Sequence, residues 1–507
     1  MIVEQVDLIH QLGLIVGTSR CIDYREQGAP ANIYRDARAI TGCVMPADIA
    51  SVQKIIEFAN HYSMPLYPLS RGKNYGLGCR LPVEQNNLIV DLKDIDHIRD
   101  YNDEAGTVTI GAGVSQKQLA DYLVHQGARY RLNVTGSSED SSVVGNALER
   151  GVAHYGCRVN EVIAMQVILG NGDTLQCGGP GGLGEPSWNS YAYALGPDLK
   201  GLFFQSAFGI VVEITLKLTP IAGPVQVASI EKKTTVPLAQ WVDTLADLRY
   251  RNLLPDNLHI ANPARRMSVV APLIARYEQK GIQDISQSDL DRFCQFSATS
   301  SLNLDARLVD SYKTVITETL APVANVHFAD AESIRASRDV ITCATRGVFE
   351  HAQGIPSDDA LYSLGYEQQQ LLDPKDLSAS NVGTFFLVPV IPFTGADVDT
   401  LITIVNQRFE PQGFTPFITF NFIEHFNLEV VINLTYSTDD MGRVEQAKSV
   451  MLDTFEALNR QGYLPQRLSV FQSPVFGGYH PQYLSAVTAI KRQFDPNGII
   501  APGKYGL

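Results

Sequence analysis

The sequence has neither long apolar runs nor an excess of positive charge. No uninterrupted apolar stretch in its 507 residues is long enough to span a bilayer, and residues 1–19 lack the basic segment that opens a signal peptide. Its 40 Lys and Arg against 54 Asp and Glu leave a formal charge of -14. Such a surface repels nucleic-acid phosphates and anionic lipids. We therefore expect no nucleic-acid partner and no membrane partner.

Cysteine is scarce and shows no pairing pattern. The seven cysteines are odd in number, scattered and free of C-x-x-C spacing, and the ten histidines show no spacing typical of metal ligands. This argues against a disulfide framework and a metal site, and it fits a reducing compartment. We expect a cytoplasmic protein without a bound metal.

Two common enzyme signatures are missing. The glycines at 170–172 suit a hairpin turn, and those at 178–184 suit a loop. Neither forms the strand, G-x-G-x-x-G and helix of a nicotinamide-binding domain. There is also no nucleophile elbow of the kind that marks a Ser-His-Asp hydrolase. The sequence therefore disfavours both classes.

The composition is that of a globular enzyme with a large core. Hydrophobic residues make up 45% and charged residues 19%, and the length is about three times that of a typical single domain. From 36 to 220, short strand-like runs alternate with amphipathic helical stretches, and after 220 longer helical patterns appear. We predict an α+β fold with a domain boundary near 220–228 and a second α+β unit that reaches residue 458.

Several elements can be placed from their end signals and periodicity. Asp48 precedes a helical pattern that begins at Ile49, and Ser115 precedes one that ends at Gln126. The second unit contains strand-like runs and two further helices. We predict its strands at 384–392, 417–422 and 428–434, and its helices at 397–409 and 440–461.

Two loops of the first unit have compositions suited to a large polar ligand. Residues 70–76 follow a short strand at 66–69 and combine two glycines with two cations, so they can present N–H groups and charge to a phosphate. Residues 135–146 are small and polar, and they offer many hydroxyls and amides. Taken alone, the first loop is also compatible with an ordinary turn and the second with a surface loop.

Four segments stand out along the chain, in the order 68–76 (PLSRGKNYG), 144–152 (VGNALERGV), 201–211 (GLFFQSAFGIV) and 494–504 (FDPNGIIAPGK). Taken in this order, they resemble segments of the vanillyl-alcohol oxidase and p-cresol methylhydroxylase flavoproteins. The resemblance implies an FAD-binding domain at 1–225, a substrate-binding cap domain at 226–458 and a segment at 459–507 that returns to the FAD-binding domain.

The resemblance implies FAD as the cofactor, bound between the two domains. A diphosphate requires amides and a cation, and a flavin ring requires small residues that let the backbone come close. The residues implied as cofactor-binding are Pro68, Ser70, Arg71, Gly72, Lys73, Asn74, Tyr75, Gly136, Ser137, Ser142, Gly145, Asn146, Gly151, His154, Gly156, Ile210, Val211 and Lys504.

The usual covalent attachment points of relatives are missing. Many relatives bind FAD through a His or Tyr in the cap strand, but residues 382–388 contain no His, Tyr or Cys. Bicovalent relatives carry another His near the position of Asn74, and Cys157 lies near their second attachment point, where we expect a small apolar contact. We therefore expect non-covalent FAD.

The resemblance also implies a partly altered catalytic set. Phenol-oxidising members bind the phenolate with two tyrosines and an arginine. Tyr75 and Arg467 match two of these, and Gln466 stands in place of the second tyrosine. The catalytic candidates are Tyr75, Arg467, Gln466, Glu424 and His425, the last two as alternative general bases on a cap segment.

The expected reaction is hydride transfer from a small organic substrate, of phenolic or benzylic type by the resemblance, to flavin N5. Ser137 takes the place of an aspartate that relatives hold near N5, with Glu139 and Asp140 close by. The electrons would then pass to oxygen or to an electron-acceptor protein. Two alternatives stay open: a subunit that reduces a cytochrome partner, and a biosynthetic dehydrogenase or cyclase acting on a complex natural product. A homo-oligomer is also compatible with the sequence.

Overall fold

Helices and strands alternate along the chain. The structure is a computed structural model that describes residues 2–178, 191–193, 196–336, 340–424, 426–478 and 481–507. The strands are β1 (Cys21–Asp23), β2 (Ile40–Val44), β3 (Leu66–Leu69), β4 (Asn87–Asp91), β5 (Ile98–Asn102), β6 (Thr107–Gly111), β7 (Tyr130–Arg131), β8 (Val152–Ala153), β9 (Gly156–Cys157), β10 (Val162–Leu169), β11 (Thr174–Cys177), β12 (Gly209–Lys217), β13 (Thr219–Pro220), β14 (Val225–Lys232), β15 (His259–Ala261), β16 (Ser297–Asn303), β17 (Ala324–Ala329), β18 (Val382–Pro392), β19 (Phe417–Phe422), β20 (Asn427–Ser437) and β21 (Pro465–Arg467).

The helices differ widely in length, and the longest lie in the second half of the chain. None in the described ranges is long and apolar enough to cross a membrane. The helices are α1 (Ile2–Val16), α2 (Tyr24–Gln27), α3 (Ile49–Tyr62), α4 (Gln116–His125), α5 (Val143–Leu148), α6 (Leu238–Tyr250), α7 (Pro263–Glu278), α8 (Gln287–Leu290), α9 (Ala306–Leu320), α10 (Ala331–Ala336), α11 (Val340–Ala352), α12 (Gly395–Phe409), α13 (Met441–Gln461), α14 (Ser473–Phe476) and α15 (Pro481–Phe494).

The end signals in the sequence act as predicted. The Asp48 carboxylate accepts a hydrogen bond from the Ser51 N–H at 2.7 Å at the start of α3, and Ser115 caps α4. The glycines at 170–172 connect β10 and β11, which pair in antiparallel fashion. The predicted helix starts and the predicted hairpin are therefore confirmed.

Two smaller sheets form the first half of the molecule. One has the order β1-β2-β4-β3, with β2, β4 and β3 parallel, and the other has the antiparallel order β11-β10-β12-β6-β5. Their apolar faces share a core with α3 and with Ile499 and Ile500 near the C-terminus. The Leu66 N–H donates to the Ile499 carbonyl at 2.7 Å, so the end of the chain lies beside β3.

An eight-stranded sheet of order β17-β14-β16-β15-β19-β20-β18-β21 dominates the second half. Its core includes Trp241, Phe420 and Ile432, and it also takes in Val470 and Phe471. Residues 459–507 thus divide between the two halves, because β21 extends this sheet while Ile499 and Ile500 pack in the first core. The mixed architecture confirms the α+β prediction, and the domain boundaries stay predictions.

Candidate functional site

A cavity of about 530 Å³ lies between the loops of the first half and the eight-stranded sheet. This size falls within the range of about 300–1,000 Å³ that is typical of small-molecule sites. One wall contains residues 67–75 and parts of 134–154. The other, which we call the cap wall, contains His259 of β15 and alternate residues of β19 and β20.

Gly72 shapes the loop at 70–76. Its φ of +66° lies in the left-handed region that side chains other than glycine rarely adopt. A Cβ at this position would lie 2.6 Å from Cγ of Arg80, whose guanidinium is 2.9 Å from the Asp91 carboxylate. The glycine therefore allows Arg80 to pack under the loop while the loop backbone lines the cavity.

The two loop cations are held mainly by backbone carbonyls. Arg71 donates to the Gly113 carbonyl at 3.0 Å and lies 3.8 Å from Asp140. Lys73 Nζ donates to the Lys375 carbonyl at 2.8 Å. Both side chains line the cavity, so an anionic group at this wall would meet incompletely neutralised positive charge.

The second loop contacts the first through a glycine. A Cβ at Gly145 would lie 3.2 Å from Oγ of Ser70, so a larger residue would press on the first loop. Ser137 exchanges hydrogen bonds with Oγ1 of Thr135 at 2.6 Å and with Oγ of Ser141 at 2.7 Å. This network fixes a polar surface of small side chains.

Several residues that line the cavity carry a buried polar atom that has no hydrogen-bond partner in the described structure. Buried polar groups in proteins are almost always hydrogen-bonded, so such a cluster indicates a missing polar ligand. Together with the two glycine-rich loops, it fits a large polar cofactor such as FAD. The atoms are Asn146 Oδ1, Asn257 Oδ1, Thr299 Oγ1, His351 Nε2, Ser357 Oγ and Asn433 Oδ1.

A polar row crosses the cap wall. Thr299, His259, Asn421 and Glu429 lie opposite one another on β16, β15, β19 and β20, and all four line the cavity. Asn421 Nδ2 donates to Oε2 of Glu429 at 3.1 Å. Burial raises the pKa of Glu429, and the positive charge of Arg467 opposes that shift. The row therefore ends in a carboxylate with a raised proton affinity.

Arg467 lies on β21, opposite Val388. It lines the cavity, and its Nε donates to Oε1 of Gln466 at 3.1 Å. Its charge acts on the buried carboxylate of Glu429 and on the half-buried carboxylate of Glu149, and it helps to lower the pKa of Glu149. Arg467 therefore faces acidic groups without a close ion pair among the described residues.

The cavity histidines are neutral at pH 7. Burial lowers the pKa of His154 to about 3 and those of His259 and His351 to about 4. His154 Nε2 is 2.7 Å from Oγ of Ser301 on β16, which connects the two walls. The charges at the site are therefore those of the arginines, lysines and carboxylates.

Most of the predicted site residues line this cavity. For the cofactor, these are Pro68, Ser70, Arg71, Gly72, Lys73, Asn74, Tyr75, Gly136, Ser137, Ser142, Gly145, Asn146, His154, Ile210, Val211 and Lys504; for catalysis, they are Tyr75 and Arg467.

The other predicted residues lie elsewhere. Gly151 packs against the Asn146 side chain, because a Cβ there would lie 2.2 Å from Asn146 Nδ2. Neither Gly151 nor Gly156 lines the cavity. Gln466 Nε2 donates to the Arg150 carbonyl at 2.6 Å, which holds its side chain between the two halves. Glu424 is exposed on the turn before β20. His425 lies outside the described residues.

The polar strand residues of the cap wall are not among the site residues predicted from the sequence, and Glu429 is the main example. A sequence signal was present, because Asn421, Glu429 and Asn433 interrupt otherwise apolar strands at alternate positions. Glu139 and Asp140 do not line the cavity, and Glu139 N–H donates to Asp358 at 3.0 Å.

Comparison with known proteins agrees with this geometry. Residues 40–178 match the FAD binding domain family FAD_binding_4. The chain is 29% identical to 1'-carboxy-chondrochloren decarboxylase of Chondromyces crocatus over 92% of its length and 90% of the relative's. It is 22% identical to the 4-cresol dehydrogenase [hydroxylating] flavoprotein subunit of Pseudomonas putida, over 97% and 92%.

The fold has a close match among solved structures. The 4-ethylphenol oxidase from Gulosibacter chungangensis, in its isoeugenol complex, superposes with a TM-score of 0.87 at 20% identity and covers 99% of this chain and 97% of its own. The matched domain, the relatives and the polar lining of the cavity lead to one assignment. This chain is an FAD-dependent oxidoreductase with an FAD binding domain, and it is similar in sequence and fold to flavoproteins of the p-cresol methylhydroxylase type.

Proposed function

We propose that this enzyme removes a hydride from a small organic substrate bound between the cap wall and the FAD loops. The observation that carries the proposal is that a buried carboxylate, Glu429, lines the cavity together with a cation, Arg467, whose charge acts on it. When bound, FAD supplies the hydride acceptor. The predicted cofactor-binding residues that line the cavity are proposed to hold it.

Three residues are proposed to act on the substrate. Glu429 accepts a proton from a substrate O–H or N–H, because burial raises its pKa toward the working range of a general base. Arg467 stabilises the negative charge that develops on the substrate. Tyr75 lines the cavity, and burial raises the pKa of its phenol, so it stays protonated and donates a hydrogen bond.

Glu429→Gln is the direct test. We expect FAD content to be unchanged and flavin reduction to slow by about 100-fold or more, which is typical for loss of a general base. A carboxyl with a raised pKa is protonated at low pH, so the rate of the unaltered enzyme should rise with pH through that pKa and then level off. The variant should lose this acid limb. Stopped-flow flavin reduction between pH 5 and 9 measures both.

Glu367→Gln is the matched control. Burial also raises the pKa of Glu367, which accepts a hydrogen bond from Thr435 at 3.1 Å but does not line the cavity. The control should keep the rate and the pH profile of the unaltered enzyme. A Glu429→Gln enzyme with an unchanged rate and acid limb would refute the role of Glu429.

Acid precipitation should release the flavin into the supernatant. The strand β18 contains no His, Tyr or Cys. Burial raises the pKa of the Cys157 thiol to about 12, and Cys157 does not line the cavity, which supports a non-reactive role. Absorbance at 450 nm in both fractions checks the prediction. A yellow pellet after washing in acid and denaturant would show covalent FAD.

The electron acceptor and the substrate class are proposed from the relatives. One relative is named as a flavoprotein subunit, which supports a protein acceptor, and one solved structure is an oxidase, which supports oxygen. The rate at which air reoxidises the reduced enzyme distinguishes them. The phenols in these names support a phenolic or benzylic substrate, and the decarboxylase supports the biosynthetic alternative. We propose the cytoplasm as the location.

A further inference from the structure

The cap wall contains a cation that has no anionic partner in the described structure. Arg265 is the third residue of α7 and lines the cavity. Its position is fixed by Asn262, which caps the helix by accepting from the Arg265 N–H at 2.9 Å and donates from Nδ2 to the Pro416 carbonyl at 2.9 Å. Val269 and Leu273, four and eight residues further on, line the cavity from the same helix face.

The guanidinium of Arg265 makes one described hydrogen bond. Its NH1 donates to Oγ of Ser363 at 2.7 Å, and that hydroxyl in turn donates to the Ala360 carbonyl at 2.6 Å. Ser363 is buried, so its hydroxyl orients the arginine without neutralising it. A guanidinium has five N–H donors, so most of its capacity stays available to a ligand.

Two other arginines of the same helix have carboxylate partners. Arg266 lies 3.3 Å from Glu231, and Arg276 lies 2.8 Å from Asp359. Asp359 also lines the cavity but is engaged by Arg276. No carboxylate within the described ranges lies within ion-pair distance of Arg265.

The charge of Arg265 persists at neutral pH although burial disfavours it. Burial lowers the pKa of the guanidinium to about 10, with no carboxylate contributing to the shift. Leaving a half-buried charge without a counter-charge is costly, so a site of this kind favours an anionic ligand.

We propose that Arg265 binds the carboxylate of the substrate, and that the substrate is an aryl or alkyl carboxylic acid whose apolar part lies along α7. A carboxylate matches the planar fork of a guanidinium through two parallel hydrogen bonds. Val269, Leu273 and Leu361 supply the apolar surface beside it. This inference rests on the proposed function, since it names the substrate class of the same cavity.

The sheet register separates His259, the histidine on which the Arg265 charge acts, from the proposed base. His259, on whose pKa the Arg265 charge acts, lies on β15, and Glu429 lies two strands away on β20. Two strand spacings amount to about 10 Å. A substrate of arylacetate or arylpropionate length can therefore bind Arg265 at one end and present a phenol to Glu429 at the other.

The test compares acids with their methyl esters. The holoenzyme is titrated with 4-hydroxyphenylacetate, 3-(4-hydroxyphenyl)propionate and the methyl ester of each, and binding is followed from the change in the flavin absorbance spectrum. We expect the better acid to bind at least about tenfold more tightly than its ester, because an ester cannot form the charged pair. Arg265→Leu should abolish that preference by lowering the affinity for the acid and not for the ester, and Arg265→Lys should retain part of the preference.

Arg266→Leu is the control, since it removes the next arginine of the same helix, which is paired with Glu231 and does not line the cavity. It should leave the ratio of acid to ester affinity unchanged. Equal binding of acid and ester by the unaltered protein, no binding of either acid, or a preference that survives in Arg265→Leu would each overturn the inference.

The acid-to-ester comparison in the unaltered protein needs no variant to fold and no turnover. If the proposed hydride transfer is wrong, no substrate will bleach the flavin, but the binding preference for acids will remain. If the inference is wrong while the function is right, neutral phenols will bleach the flavin and the acids will show no preference. The two failures are therefore distinguishable.

Discussion

Arg467→Ala should yield a folded, FAD-bound enzyme that reduces its flavin roughly 100-fold or more slowly, which is the usual loss when one preorganised charge partner is removed from a dry site. The fold should tolerate the change, because Arg467 makes its described hydrogen bond only to its neighbour Gln466. Glu149, on which its charge also acts, keeps the Lys504 ammonium at 2.7 Å. The loss should therefore appear in the chemical step.

Anaerobic stopped-flow reduction at saturating substrate measures the effect, and the absorbance ratio at 280 and 450 nm measures FAD content. Arg467→Lys should recover part of the rate, because it restores the charge without the planar fork. Arg460→Ala is the control, since Arg460 pairs with Glu456 on the exposed face of α13. A parental reduction rate in Arg467→Ala with every accepted substrate would show that Arg467 has only a structural role.

Gly72→Ala should lower FAD affinity at least about tenfold. The φ of +66° makes any Cβ costly, at about 1–2 kcal/mol, and this Cβ would also displace Arg80 from its place under the loop. Because Arg80 is 2.9 Å from the buried Asp91, the loop would have to move in order to relieve the contact. A moved loop no longer presents its N–H groups in the geometry that a diphosphate requires.

Gly127→Ala separates this effect from backbone strain. Gly127 has nearly the same φ, +61°, but a Cβ there would meet nothing within 4 Å, and it lies after α4, away from the cavity. Gly127→Ala should lower the free energy of unfolding about as much as Gly72→Ala does, and it should keep its FAD affinity. Titration of the apoprotein with FAD, followed by flavin fluorescence, compares the two. Equal affinities would mean that the 70–76 loop does not bind the diphosphate.

The helix starts and the hairpin could be read from the sequence because their causes are local. Asp48 and Ser115 cap the helices that follow them, and the glycines at 170–172 turn a hairpin, each within a few residues of the signal. The two loops that line the cavity could be predicted for the same reason, since glycines and cations close together in sequence stay close in space.

The cap wall depends instead on long-range pairing. Thr299, His259, Asn421 and Glu429 come from four strands, and only the register of the sheet brings them into one row. From the sequence we therefore predict Glu424 as a general base, although it lies on an exposed turn and Glu429, five residues away, is buried. The signal for Glu429 was its polarity within an apolar strand, but its partner Asn421 could not be inferred locally.

By itself, the sequence predicted the α+β class, FAD as the cofactor and the resemblance to p-cresol methylhydroxylase-type flavoproteins, because short segments with fixed spacing carry that information. Only the tertiary structure decided which charges meet in the cavity. Gln466 and Arg467 are adjacent in sequence, yet the side chain of Gln466 binds the Arg150 carbonyl while that of Arg467 lines the cavity. Arg265 looks like any helix arginine until the fold places it in the cavity wall with no carboxylate of the described residues within ion-pair distance. Burial and the absence of a counter-charge are properties of packing, and packing is set by residues far apart in the chain.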